Sequence, residues 1–124
     1  MAQKGQSYRW TDSQTGEVIA TTRRAETIWE RLFGLLGERN LAPGTGLWLV
    51  PCNGIHTCGM RFAIDVLVLD ENGRVLRIIT GLKPWRVSPP VRAGHSVVEL
   101  GVGTLASCAL SVGDHVVLQP AGEA

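Results

Sequence analysis

The chain has 124 residues, of which 44% are hydrophobic and 19% charged, and its formal net charge is +1 at pH 7. This length predicts a single domain over residues 1–124, because it closes one hydrophobic core and is too short for two. The small net charge gives no long-range field, and no run of about 20 apolar residues is present, so we expect neither nucleic acid nor a membrane as partner.

The N-terminal part of the sequence predicts a β-hairpin followed by a helix. Residues 7–10 and 17–22 have the composition of short strands, and the polar, glycine-ended segment 12–16 between them is typical of a turn. From residue 25 onward the apolar residues recur at helical spacing, at Ile28, Leu32, Leu35 and Leu36. This pattern predicts the main helix of the domain over about 25–36.

The rest of the chain predicts more strands and one short helix. The predicted strands are 47–50, 65–70, 74–80, 96–100 and 115–119. The Asn72-Gly73 pair is the strongest hairpin signal, because it supplies positive φ cheaply between two apolar runs. The small-residue segment of about 103–111 predicts a short second helix. We therefore expect an α+β fold, a small, mostly antiparallel, barrel-like β domain with two helices.

Polar residues with chemical potential gather in the segment 51–65, PCNGIHTCGMRFAID. Arg61 offers a guanidinium fork that suits a carboxylate or phosphate, and Asp65 and His56 are candidates to orient it. The structural alternative for Arg61 and Asp65 is an ion pair that fixes a loop. Trp85 and Arg86, in the proline-rich stretch 81–94, are candidates for the rim of the same ligand site, or for covering a sheet edge.

The cysteines point to no metal and no cofactor. Cys52, His56 and Cys58 follow the spacing C-x3-H-x-C, which lacks the paired ligands of a zinc site. A catalytic thiol at Cys58 beside His56 competes with a small apolar cysteine in a half-buried strand, and a Cys52–Cys58 disulfide is a further alternative. The odd total of three cysteines favours a reducing compartment, so we expect a cytoplasmic protein.

Several blocks of the chain resemble, in order, those of the domain of unknown function 192 family, also called the UPF0127 family. The blocks are Arg31-x-x-Gly34-Leu35-Leu36-Gly37, Gly46-Leu47-Trp48-Leu49, Pro51-Cys52-Asn53-Gly54-Ile55-His56-Thr57 and Met60-Arg61-Phe62-x-Ile64-Asp65. The resemblance covers a core of about 25–118 and implies a small α+β, barrel-like domain of bacteria and archaea. It implies no activity. The chain departs from the commoner family pattern at Cys58, where an aromatic residue is frequent, and at Ala63, where proline is frequent.

Three functional hypotheses follow from these residues. The first is a non-catalytic binding or accessory domain that recognises a small anionic group or a peptide through His56, Arg61, Asp65, Trp85 and Arg86. The second is a hydrolase that uses His56 as base near Asp65, with or without a metal. The third is a structural subunit that pairs through an exposed strand edge. The partner is an unidentified small molecule or protein, and we expect a monomer or a weak homodimer.

Overall fold

The computed structural model of the chain describes residues 6–25 and 38–123, and these form nine β-strands and one turn of 3-10 helix. The 3-10 turn spans Leu105–Ser107. The strands are β1 (Gln6–Asp12), β2 (Val18–Arg24), β3 (Thr45–Leu49), β4 (Ile55–His56), β5 (Ile64–Leu69), β6 (Val75–Leu82), β7 (Val87–Ser88), β8 (Ser96–Gly101) and β9 (Val116–Glu123).

Seven of the strands form one curved sheet in the order β6-β5-β8-β3-β2-β1-β9, and β4 and β7 form a separate antiparallel pair. Every pairing in the large sheet is antiparallel except that of β2 with β3. A bridge between Arg74 and His115 joins the start of β6 to the start of β9. The Val75 N–H also donates to the Asp114 carbonyl at 2.8 Å. The two edge strands therefore meet at one end, and the sheet is a partly closed barrel.

The predicted α+β class is wrong, because the structure is mostly β, with 49% strand and 3% helix and no helix of seven or more residues among those described. The main helix predicted over about 25–36 lies outside the described residues, apart from Ala25, which is in no helix. The second helix, predicted over about 103–111, is reduced to the 3-10 turn. Gly103 has a φ of 95° and Cys108 is extended, so neither residue continues a helix.

Both hairpins predicted from turn composition are confirmed. β1 pairs with β2 around the polar segment 13–17, and β5 pairs with β6 around Asn72-Gly73. In the second turn the Asp70 carboxylate accepts the backbone N–H groups of Asn72 and Arg74 at 2.8 and 2.9 Å. Gly73 has a φ of 84°, which a side chain rarely tolerates. The turn residues thus set the register of β5 against β6.

The core lies on both faces of the sheet, and β5 is buried along its whole length. Leu67 and Leu69 face a cluster that includes residues of the end strands β6 and β9, which places this cluster on the concave side. Val66 and Val68 face a second cluster on the outer side. Loop and short-strand side chains cover the outer cluster, namely Leu41, Cys52, Ile55, Met60, Phe62 and Val91. The β4–β7 pair is therefore packed on the outer face of the barrel.

Candidate functional site

Thr57 is the buried residue that holds the two loops beyond β4 and β7 together. Its side chain has no exposed surface. The Thr57 hydroxyl donates to the Lys83 carbonyl at 2.6 Å and accepts the Arg86 N–H at 2.9 Å. The Thr57 N–H donates to the Arg86 carbonyl at 2.8 Å, and the Thr57 carbonyl accepts the N–H groups of Trp85 and Met60 at 3.0 and 3.1 Å. The backbone of 83–86 is therefore fixed against this one residue.

Exposed side chains surround this buried node. Trp85 is 68% exposed and Val87 is 65% exposed, although both are large and apolar. His56 lies directly across from Val87 in the β4–β7 pair, so the two exposed side chains share a face. Arg86 is exposed and directly precedes β7, and exposed Arg61 follows the turn closed by the Met60 N–H. We call His56, Arg61, Trp85, Arg86 and Val87 the β4–β7 surface.

The backbone of Trp85 has an unusual conformation. Its φ is 63°, in the left-handed region that favours glycine. A non-glycine residue held there carries strain of about 1 kcal/mol or more. The Thr57 carbonyl, which accepts the Trp85 N–H, holds the residue in this conformation. The fold thus keeps a tryptophan in a strained backbone conformation and leaves its side chain in solvent.

His56 presents a hydrogen-bond donor to solvent. Its Nδ1 atom accepts the backbone N–H of Cys58 at 3.2 Å. A neutral imidazole that accepts at Nδ1 carries its proton on Nε2. The Nε2–H group of this exposed residue is then available to an acceptor outside the chain.

Asp65 lies apart from the other four sequence-predicted site residues. It is 1% exposed. One carboxylate oxygen accepts the N–H of Gly81 at 2.9 Å, and the other accepts the N–H groups of Gly103 and Leu105 at 3.1 and 3.0 Å. Arg61 is exposed and precedes β5, so the two residues do not share a strand. The carboxylate serves the backbone of the barrel, where it ties β5 to the end of β6 and to the 3-10 turn.

Positive charge is concentrated in the segments that build the β4–β7 surface. Residues 51–64 and 77–98 contain no aspartate or glutamate. They contain the cationic residues Arg61, Arg77, Lys83, Arg86 and Arg92. The net charge of +1 conceals this separation, because the carboxylates are placed elsewhere in the sequence. Acid-free stretches are the signal that would have identified the cationic region from sequence.

Glu99 is a titratable residue that sequence reasoning did not single out. It lies in the middle of β8, between Leu47 of β3 and Val66 of β5, and is 5% exposed. Burial raises the pKa of its carboxyl group to about 7. The signal for its burial was the apolar residue on each side, in Val98-Glu99-Leu100, which is typical of a strand covered on both faces.

The cysteines form no disulfide. The Cys52 thiol donates to the Gly54 carbonyl at 3.0 Å, and Cys58 is exposed. Within residues 6–25 and 38–123, no group of three or more His, Cys, Asp or Glu side chains is placed to hold a metal ion. In the same part of the chain, no helix has the length and apolar character needed to cross a membrane.

A partly closed, mostly antiparallel barrel with a short strand pair on its outer face defines the class of this protein, a small β-barrel-like domain. The chain belongs to the DUF192 family, described as "Uncharacterized ACR, COG1430", whose model matches residues 10–118. The resemblance seen in the sequence blocks is thereby confirmed.

Relatives of known sequence and known structure agree with this assignment. A UPF0127 protein of Pyrococcus furiosus is 39% identical over 105 residues, covering 81% of this chain and 88% of the relative. A UPF0127 protein of Pyrococcus abyssi is 35% identical over 98 residues, covering 74% and 80%. The crystal structure of a protein of unknown function from Novosphingobium aromaticivorans has a TM-score of 0.76 at 20% identity, covering 90% and 83%. At that identity the structural likeness concerns the fold alone.

The substitution Thr57→Val tests the role of the buried hydroxyl. Valine keeps the shape of the side chain but leaves the Lys83 carbonyl and the Arg86 N–H without their partner. We expect a loss of about 1–3 kcal/mol in the free energy of unfolding, measured by urea denaturation. Amide hydrogen exchange at Arg86 should accelerate more than exchange in β5. Equal exchange rates in the two proteins would remove Thr57 from this role.

Proposed function

We propose that this protein is a non-catalytic binding domain whose β4–β7 surface recognises a small anionic group carried by a peptide. The observation that carries the proposal is the exposed Trp85, held at a φ of 63° beside Arg86 in an acid-free, cationic region. Residues in strained backbone conformations cluster at ligand sites, and they persist only where the surrounding structure holds them. We infer that Trp85 is held outward to contact a ligand.

The donors of this surface suit an anion. Arg61 and Arg86 carry guanidinium forks, which match the two oxygens of a carboxylate or phosphate. His56 adds an outward Nε2–H donor, given its hydrogen bond at Nδ1. All three residues are exposed, so a ligand reaches them without rearrangement of the core.

The apolar members of the surface favour a peptide over an isolated inorganic ion. Trp85 and Val87 are more than 60% exposed and border the cationic residues. An aromatic ring and a β-branched side chain stabilise a ligand by burying apolar area, about 25 cal/mol per Å². A peptide carboxylate with an apolar neighbouring side chain satisfies both halves of the surface. A free phosphate satisfies only the charged half.

The hydrolase alternative has less support from the geometry. That hypothesis uses His56 as the base with Asp65 near it, but the Asp65 carboxylate is buried and accepts three backbone N–H groups. The Nδ1 atom of His56 is also occupied by the Cys58 N–H. A binding role needs neither a carboxylate nor a free imidazole lone pair.

The three thiols without a disulfide fit the reducing cytoplasm as the compartment in which this domain works.

Calorimetric titration with a matched pair of peptides tests the proposal. One tetrapeptide carries a leucine followed by a free C-terminal carboxylate, and the other is its C-terminal amide. We expect the free acid to bind more tightly, and Arg61→Ala to reduce its affinity by about 2 kcal/mol, as for a truncated charged hydrogen bond. Trp85→Ala should weaken both peptides, because it removes apolar contact that does not depend on charge.

The matched control is Arg9→Gln, which removes an exposed arginine of β1 outside the β4–β7 surface. This variant should bind both peptides like the unmodified protein. Equal affinity for the acid and the amide would exclude carboxylate recognition. An equal loss in Arg9→Gln and Arg61→Ala would mean that only net charge matters, and the β4–β7 surface would then have no special role.

A further inference from the structure

A recess lies between the Trp10–Trp48 pair and the hairpin turn at Asp70–Gly73. Its volume is about 240 Å³, and its lining includes Leu69 and Val116 with the two indoles. A wider recess of about 390 Å³ adjoins it, and the two share Asp70, Glu71, Asn72 and His95. Drug-sized ligands occupy about 300–1,000 Å³, so the inner recess has room only for a small group. No residue of the β4–β7 surface lines either recess.

The inner wall of this recess is aromatic. The rings of Trp10 and Trp48 meet edge to face, with centroids 5.4 Å apart and an angle of 81° between their planes. One cation already contacts Trp48, because the Arg24 guanidinium lies 5.4 Å from its ring centroid, so a ligand has to contact the parts of the two indoles that line the recess. Tryptophan is the strongest of the aromatic side chains in such contacts. The wall is therefore suited to an alkylated cation.

The mouth of the recess carries carboxylates. The pKa of the Asp70 carboxyl is lowered, so it keeps its negative charge. Burial alone would raise this pKa. The larger, opposite effect comes from the hydrogen bonds donated by the Arg74 and Asn72 backbone and from the charges of His115 and Arg74. Glu71 is exposed beside it and also lines both recesses. Arg74, His95 and His115 are the basic groups near this turn, and Arg74 and His115 face each other across the barrel-closing bridge.

We propose that the recess between Trp10, Trp48 and the Asp70–Gly73 turn binds a small organic ammonium ion. The indoles contact its alkyl groups and attract its positive charge through cation–π interaction. The negative charges of the Asp70 and Glu71 carboxylates attract the same cation at the mouth of the recess. A bare metal ion is a poorer occupant, because no three His, Cys, Asp or Glu side chains converge in the described part of the chain. The Trp48 Nε1–H is buried and has no acceptor among the described residues.

Titration with choline, followed through the tryptophan indole N–H signals in two-dimensional NMR, tests this inference. Choline offers a trimethylammonium group and a hydroxyl oxygen, and 3,3-dimethylbutan-1-ol is its uncharged isostere. We expect saturable shifts of the Trp10 and Trp48 signals in the millimolar range, with Trp85 unmoved, at constant ionic strength. The uncharged isostere should bind at least about tenfold more weakly, because it lacks the cation–π and carboxylate interactions.

Two variants separate this site from general charge effects. Glu71→Gln keeps the shape of an exposed side chain and should weaken choline binding by roughly two- to fivefold. Glu17→Gln removes an exposed carboxylate that lines neither recess and should leave the binding unchanged. The inference is overturned if choline gives no saturable shift, if the uncharged isostere binds equally well, or if both variants weaken binding to the same extent.

Discussion

Asp65→Ala is expected to lower the free energy of unfolding by about 3–5 kcal/mol, because each backbone N–H group left without its acceptor costs about 1–3 kcal/mol and three such groups are partly or fully buried. The substitution leaves the N–H groups of Gly81, Gly103 and Leu105 without their acceptor. Asp65 is 1% exposed, so water does not replace the carboxylate without disturbing the barrel wall. Urea denaturation at neutral pH measures the loss.

The control for Asp65 is Asp114→Ala. The Asp114 carboxylate accepts one exposed hydrogen bond, from the Ser111 N–H at 2.9 Å. Its removal should cost about 1 kcal/mol or less. If Asp65→Ala costs no more than Asp114→Ala, the three hydrogen bonds of the Asp65 carboxylate do not hold β6 and the 3-10 turn to β5. In Asp65→Ala, the amide hydrogen exchange rate should increase more at Gly103 and Leu105 than in β8.

The hydrogen bonds of Asp65 join it to parts of the chain that the sequence pattern did not connect with it. The motif around it brought Arg61 and His56 close in sequence, which favoured a site containing all three residues. Its actual partners, Gly81, Gly103 and Leu105, are 16 to 40 positions away along the chain. Backbone N–H groups carry no sequence signature. A carboxylate that accepts hydrogen bonds from them therefore cannot be distinguished, in the sequence, from one that binds a ligand.

The parts of the fold that depend on local chemistry were predictable. Asn72-Gly73 predicted the β5–β6 hairpin because Gly73 adopts a positive φ of 84°, which glycine does at low energy. The closure of the barrel through Arg74 and His115 was not predictable, since it joins segments distant in the sequence. The segment of about 103–111 misled because small residues are compatible with a helix, whereas the N–H groups at its start are taken by a distant carboxylate.

The candidate surface was predictable only in part. His56, Trp85 and Arg86 were selected as polar or aromatic residues in loop-like segments, and the structure places them around one node. Thr57 is the residue that unites them, and nothing in its local sequence distinguishes it from a surface threonine. Its role depends on the approach of 83–86, which is set by packing on the outer cluster of the barrel.

Two buried carboxylates on neighbouring strands of the barrel have opposite environments. Asp65 accepts three hydrogen bonds, whereas Glu99 lies between Leu47 and Val66, and desolvation is what raises its pKa to about 7. A carboxyl group buried among apolar side chains is stabilised as the neutral acid. One carboxylate therefore ties elements of the barrel together at Asp65, and the other makes the stability of the fold sensitive to pH at Glu99.

Glu99→Gln is expected to remove a pH dependence of stability between about 4.5 and 7. The folded state raises the pKa of this carboxyl from 4.5 to about 7, so folding favours the protonated form. The contribution of this preference to the free energy of unfolding is fully present below pH 4.5. It declines as the pH rises to about 7 and stays constant above that. At 1.36 kcal/mol per pKa unit, the unmodified protein loses about 3 kcal/mol across this window. Glutamine is neutral throughout and loses nothing.

The measurement is the difference in free energy of unfolding between Glu99→Gln and the unmodified protein, taken at several pH values from 4 to 8. This difference cancels the titration of the other groups. It should be flat below pH 4.5, rise in favour of the glutamine variant as the carboxyl of the unmodified protein ionises, and level off near pH 7 or above. Glu71→Gln, which removes a carboxylate at an exposed position, is measured in parallel as the control. A flat curve for Glu99→Gln would mean that the folded barrel holds Glu99 ionised, with a partner that offsets its burial.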